Sequence, residues 1–380
     1  MAVKYKIASI IKTQNGIFGI GIKSLVHKIK TIFLMLSLRH KSFELAFEYP
    51  FTTHKGTKTQ QPTLVTALGL GPMVGIGEAP AINYYNVNIA EMQTILEAKR
   101  GVIERYALTD PKRFWHFLHH LIPGEHFLTA ALDIAAWDLF AQMQRKPLYS
   151  LLGLNFTAKP FTDYTIGIDT KAVMMSKMQL HPWPIYKIKL DCPNDMDLLR
   201  SLRGITTSAF RIDMNEGWQF EDVKRCLPEL KKLGVILIEQ PLPRNEVEAM
   251  QELKKISAID LFADESCRTE DDVLTCAAGF DGINIKLTKC GGITPALRMI
   301  EHARKLNLKI MLGSMNESTI GTAAIVHLWP LVDALDADGP LLLKEDIAEG
   351  LAFDNGCIEL GTRNGLGIKF WGEKRTRDII

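Results

Sequence analysis

The 380-residue chain has no C-x-x-C pair, no excess of one charge sign, and no acidic residue in its first 34 positions. Six scattered cysteines (Cys192, Cys226, Cys267, Cys276, Cys290, Cys357) in a chain this long read as reduced, mostly buried thiols. They argue against a disulfide framework and for a cytoplasmic protein. A formal net charge of +2, with acids and bases interspersed, offers no electrostatic footprint for nucleic acid. Residues 1–34 carry Lys4, Lys6, Lys12, Lys23, Lys28 and Lys30, and these interrupt the apolar residues too often for a membrane span. The short apolar run 32–36 has no small-residue cleavage site after it, which argues against a signal peptide. Residues 1–34 are therefore expected to be a disordered or dispensable extension, with Met35 a candidate start. A weak membrane-surface helix is the less favoured reading, and no membrane partner is expected.

What is present suits a two-part globular protein, since apolar residues make up 47% of the chain. Residues 42–49 alternate apolar and polar as a half-buried strand does, 50–61 read as a polar loop, and 63–70 read as a second strand. Helical patterns cover 89–105, 111–121 and 126–145, and within the last the stretch 129–143 is apolar on most faces and so expected to be a buried helix. From 161 onward the pattern changes. Apolar runs at 164–168, 185–190, 210–214, 235–239, 261–263, 282–287, 309–313 and 334–336 alternate with amphipathic helical stretches such as 223–232, 246–255 and 295–306. This spacing is that of β/α units closing into a TIM-type barrel. The expected organisation is an α+β capping domain over 35–158, a (β/α) barrel of seven to eight units over 159–345, and a segment 346–380 returning to the first domain. Short strands are expected there at 357–360 and 365–370.

Nearly every barrel run ends on an ionisable residue: Lys187 and Lys189, Asp213, Glu239, Asp264, Lys286, then Asp336 and Asp338. The C-terminal strand ends of such a barrel surround its active site, so these residues are expected to converge. Asp213, Glu239 and Asp264 fall on three successive strands. Each alone is most simply a solvated strand-end acid, but three in register would repel one another unless a cation joins them. All-oxygen ligation favours one Mg2+.

Lys187 and Lys189 share a strand face, and flanking apolar residues make that strand buried. Lys286 lies four strands further round the ring. Crowding by cations and partial desolvation are expected to lower lysine pKa values and make these amines bases. Lysines on opposite sides of one carbon can exchange its proton on both faces, which gives epimerisation. Such a proton is weakly acidic, so the adjacent carboxylate must take up charge, and a bound metal stabilises it.

The pieces GIGEA (75–79), ALDIAAWDLF (131–140), PLYSLLG (147–153), KIKL, RIDMN, IEQPL, ADES, NIKLTKCGGIT and GSMNES occur in an order that resembles the enolase superfamily, in its muconate-lactonising subgroup. The resemblance covers about residues 42–370. Asp336-Ala337-Asp338 before Gly339-Pro340 is similar to the dipeptide epimerases, in which an Asp-x-Asp holds the dipeptide's ammonium group. The resemblance implies Lys189 and Lys286 as the two bases, Lys187 as an aid at the substrate carboxylate, and Thr165 of DYT (163–165) near the substrate. It also implies a small dipeptide of the Ala-X type and leaves a homo-oligomer open.

Epimerases specific for Ala-Glu carry an arginine in the first-domain loop. Here the corresponding stretch 53–61 holds Thr53, His54, Lys55 and Lys58 but no arginine, so X is either small and apolar, which is slightly favoured, or Glu held by Lys55 or Lys58. The alternatives are an o-succinylbenzoate synthase or cycloisomerase on the same scaffold and, more remotely, an inactive barrel that serves as a binding protein. His116, His119, His120 and His126 match no zinc spacing.

Overall fold

The computed structural model describes residues 35–376; the expectations for residues 1–34 lie outside the described residues. Strands β1 (Ser37–Thr53), β2 (Gly56–Leu70) and β3 (Met73–Pro80) form an antiparallel sheet in sequential order. The stretch 50–61, read from sequence as a loop, is instead the far half of the β1–β2 hairpin. Phe51 pairs with Lys58, Thr52 with Thr57 and Thr53 with Gly56. Its threonines favour a pleated ribbon however polar they are, and Gly56 at φ +122° lets two residues, His54 and Lys55, close the turn. The ladder is interrupted between Ala46 and Phe51, around Pro50, which has no N–H to donate. Beyond that break the hairpin reaches the barrel, where Ile168 N donates to Thr52 O at 2.9 Å.

Helices α1 (Ile89–Glu104), α2 (Pro111–Leu121) and α3 (His126–Met143) follow. Asn88 and Asp110 cap α1 and α2 with their side chains. Helix α3 is apolar nearly all round and buried along most of its length, lying against β3 and β2.

Eight parallel strands then run in sequential order: β4 (Tyr164–Ile166), β5 (Ile185–Lys189), β6 (Ala209–Asp213), β7 (Val235–Glu239), β8 (Asp260–Ala263), β9 (Gly282–Ile285), β10 (Lys309–Gly313) and β11 (Ala334–Asp336). A parallel bridge between Thr162 and Leu335 links first strand to last, so the sheet curls into a barrel. The intervening helices are α4 (Lys171–Leu180), α5 (Met196–Arg203), α6 (Phe220–Lys232), α7 (Val247–Ile256), α8 (Val273–Gly279), α9 (Ile293–Lys305) and α10 (Thr319–Val326). Most bury one stripe, as Val223, Cys226, Leu227 and Leu230 of α6 do. Because side chains alternate along a strand, the charged strand-end residues share the inward face with Leu237, Phe262, Met311 and Ala334, which form their own small cluster.

After the barrel, β12 (Glu345–Glu349) pairs with β15 (Lys369–Thr376), and β13 (Leu351–Asp354) with β14 (Cys357–Leu360). The strand expected at 365–370 begins only at Lys369, because Gly365 and Gly367 both sit at φ +75° and break extended pairing. This segment touches the first sheet: Phe370 meets Phe43 edge-on, and Lys41 Nζ donates to Gly372 O at 2.6 Å. All six cysteines are free thiols. Among the described residues no helix is long and apolar enough to cross a membrane.

Candidate active site

The ends of the barrel strands open into a cavity of about 430 Å³. Thr165, Lys187, Lys189, Lys286 and Asp336 line it from the barrel, with Asn215, Ser314, Met315 and Asn316 from the loops. Phe51, Thr53, Lys55, Lys58 and Tyr84 cover it from the capping side. Lys189 ends β5 and Lys286 directly follows β9, so these amines come from strands four apart in a ring of eight. They face one cavity from opposite sides.

The acids stand between them. Asp213 ends β6 in register with Lys189 and with Glu239 of β7, and Asp264 follows β8 by one residue. All three are buried. Lys187 Nζ lies 2.6 Å from Asp336 Oδ2, 2.8 Å from Glu239 Oε2 and 3.1 Å from Asp213 Oδ2. Lys189 Nζ donates to Asp213 Oδ2 at 2.5 Å, and Lys286 Nζ to Asp264 Oδ2 at 2.8 Å. Asn284 Nδ2 fixes the other Glu239 oxygen at 2.8 Å.

Each of the three acids thus has an ammonium group against it: Lys187 bridges Asp213 and Glu239, while Lys286 pairs with Asp264. The acids also reverse the shift expected for Lys187 and Lys286. Burial pulls Lys286 down, but the Asp264 and Glu239 carboxylates outweigh it and carry the amine above its ordinary value. Lys187 is raised in the same way, by Asp336, Glu239 and Asp213 against its burial. Acids, rather than other cations, dominate the field at these amines. Asp264 shows the converse: burial pushes it up, yet Lys286 and Lys289 hold it well below the usual carboxylate range.

Asp213, Glu239 and Asp264 fit a hard divalent cation by donor chemistry. All their donors are carboxylate oxygens, and the buried Glu239 Oε2 makes no hydrogen bond; Lys187 stands at ion-pair distance from it without the alignment of one. They are not, however, the tightest acid group. Among the described residues, the three whose ligand oxygens all lie within 4.8 Å of one another are Asp163, Asp336 and Asp338. Arg211 Nη1 donates to Asp163 Oδ2 at 2.7 Å, and the Thr165 amide to Asp338 Oδ2 at 2.6 Å. Burial first, then the Asp336 charge, pushes Asp338 up to about 7. Such a cluster suits a cation, whether a metal or an ammonium group.

The hairpin residues divide. His54 Nδ1 faces Asp191 Oδ1 at 2.8 Å, and Lys55 Nζ is bound to Glu216 Oε2 at 2.7 Å, so both are spent on the barrel rim. Thr53 lines the cavity. Lys58 also lines it, donates to Gln61 Oε1 at 3.2 Å, and is lowered to about 8 by burial and by Lys286.

Sequence reasoning missed Asp163, Arg211 and Lys289. Asp163 lies two residues before Thr165 and so shares its inward parity, a signal that was available. Lys289 sits in the helical turn after β9, where alternation gives no guide; its buried Nζ lies 2.5 Å from Asp264 Oδ1.

A barrel with acids and lysines on these strands, under a three-stranded capping sheet, matches two family models. Residues 35–153 match the mandelate racemase / muconate lactonizing enzyme N-terminal domain, and residues 171–374 the enolase C-terminal domain-like family. The chain belongs to this branch of the enolase superfamily. It is 43% identical over 328 residues to the L-Ala-D/L-amino acid epimerase of Flavobacterium johnsoniae, covering 86% of this chain and 98% of that protein. Its fold is similar to that of the L-Ala-D/L-Glu epimerase of Bacillus subtilis in a substrate-liganded complex, with TM-score 0.84 and 25% identity, covering 88% of this chain and 98% of that one. A dipeptide epimerase from Enterococcus faecalis complexed with Mg and L-Leu-L-Tyr superimposes with TM-score 0.83 at 26% identity, over 88% of this chain and 99% of that one.

Proposed function

We propose that the protein is a Mg2+-dependent dipeptide epimerase that inverts the α-carbon of the C-terminal residue of an Ala-X dipeptide. The observation that carries this reading is the approach of Lys189 and Lys286 to one cavity from strands four apart. The names of the relatives from F. johnsoniae and B. subtilis support the same activity.

Asp336 and Asp338, with Asp163 beside them, hold the substrate's ammonium group at one end of the cavity. Lys187 faces the substrate carboxylate, where its fixed positive charge offsets the charge that develops as the proton leaves. One lysine, as the free amine, takes the α-proton from its face of the carbon. The other, as ammonium, returns a proton to the opposite face. One C–H bond breaks and one forms, with no change of oxidation state. In the reverse direction the roles exchange. Asp213, Glu239 and Asp264 would hold the Mg2+, which supplies Lewis-acid stabilisation at the substrate carboxylate.

The side chain of X faces the hairpin. Lys55 is committed to Glu216, so an acidic X would rely on Lys58, while Phe51 and Met315 offer apolar surface to a neutral one. Incubating a panel of Ala-X dipeptides in heavy water with Mg2+ tests the reading by mass gain and inversion. Absence of exchange in every Ala-X and X-Ala dipeptide would refute it.

A further inference from the structure

We infer that Glu78 is a positioning residue: from the capping sheet it latches the β10–α10 loop, so that loop and hairpin cover the cavity as one unit. This rests on the epimerase reading for its kinetic consequence, but the latch itself stands on geometry.

Glu78 lies on β3 and is fully buried. Its Oε1 accepts from Thr63 Oγ1 of its own sheet at 2.8 Å and from Ser318 N of the barrel at 3.1 Å. Its Oε2 accepts from Ser318 Oγ at 2.5 Å and Gly321 N at 3.1 Å. Four donors on two oxygens leave the carboxylate well satisfied, with no cationic partner among the described residues. Three of the four belong to the other half of the molecule, at the first turn of α10, where backbone N–H groups need outside acceptors.

The two glycines before it set how deep Glu78 reaches. A Cβ on Gly75 would lie 2.1 Å from Ala135 O, and one on Gly77 1.9 Å from Ala131 O. Strand β3 therefore lies flush on α3, and any side chain at either glycine would force β3 away from α3 and displace Glu78 from its register with α10. On the barrel side the glycine is Gly321, whose absent side chain leaves room for Glu317: a Cβ there would be 2.6 Å from Glu317 Cβ. Glu317 Oε2 in turn accepts from Met315 N at 2.5 Å. Met315 lines the cavity, and Tyr84 of the capping domain donates to its Sδ at 3.8 Å. A continuous path of contacts thus joins the capping sheet, through Ser318 and Glu317, to the cavity wall. A loosened latch would leave hairpin and loop to be ordered by the substrate itself, which weakens binding more than it slows proton transfer between Lys189 and Lys286.

The test compares Glu78→Ala, Ser318→Ala and the double variant in the full chain with Mg2+. Glu78→Ala is expected to raise KM for the best dipeptide about tenfold while kcat stays within about twofold. Ser318→Ala should shift KM the same way by less, and the double variant should be no worse than Glu78→Ala, because the contact of the Ser318 hydroxyl is already lost with Glu78. Hydrogen exchange without substrate should speed up in 53–58 and 314–317 but not in β5–β9. If Glu78→Ala does not fold, Ser318→Ala decides. A lower melting temperature with unchanged KM and unchanged exchange at 53–58 would overturn the latch. Exchange needs no substrate, so a protein inert towards dipeptides would sink the epimerase reading and still leave the latch decided by this readout.

Discussion

Lys289 holds Asp264 by two oxygens at once: its Nζ lies 2.5 Å from Oδ1 and 2.5 Å from the backbone carbonyl. The amine is completely buried and also reaches Asn284 O at 3.2 Å. It is a permanent countercharge on an acid proposed to carry the metal.

Lys289→Met leaves Asp264 with Lys286 alone and strips one of its two buried ammonium partners, so it is expected to cost on the order of 3 kcal/mol in metal-free buffer. Urea denaturation in EDTA checks this, and an unchanged midpoint would show that Asp264 does not need the amine. Mg2+ should recover part of the loss, by binding the folded form.

Lys58 sets a pH-dependent preference. With its pKa lowered to about 8 by burial and Lys286, its charge fades as pH rises through 8. The ratio of kcat/KM for Ala-Glu over Ala-Leu should fall between pH 7 and 9, and Lys58→Met should flatten that trend. A ratio equally steep in the variant would remove Lys58 from side-chain recognition.

Asp133 joins α3 to α9, accepting from Thr294 N at 2.9 Å and Thr294 Oγ1 at 2.8 Å. Burial raises it from 3.8 to about 7. The folded state therefore keeps this proton where the unfolded chain has already released it, so the group's contribution to stability falls as pH rises from about 4 to about 7. Asp133→Asn should remove that slope: relative to the parent, the variant gains stability across this window. Parallel denaturation curves at pH 4.5 and 7, with no change in the difference, would contradict the assignment.

The barrel was legible because short apolar runs at regular spacing have few other solutions, and because the charges at their ends repeat on β5 to β9 and β11. The hairpin was not, since polar threonines and a glycine look alike in a loop and in a two-residue turn; only pairing with Phe51 and Thr52 distinguishes them. Lys187, Lys189 and Lys286 were legible as amines facing the cavity, but not the raised pKa values of Lys187 and Lys286, which depend on acids far away in sequence. Glu78 belongs to GIGEA (75–79), and its purpose is visible only once Ser318, some 240 residues later, is beside it.

Exchange of the α-proton in heavy water, followed separately from each diastereomer in Lys189→Ala and Lys286→Ala, tests the two-faced geometry most directly. Each variant should lose inversion by at least about 10³-fold, and each should retain deuterium exchange from one diastereomer only, a different one in each variant. Retained exchange from the same diastereomer in both, or undiminished inversion in either, would mean that the two amines do not serve opposite faces of one carbon.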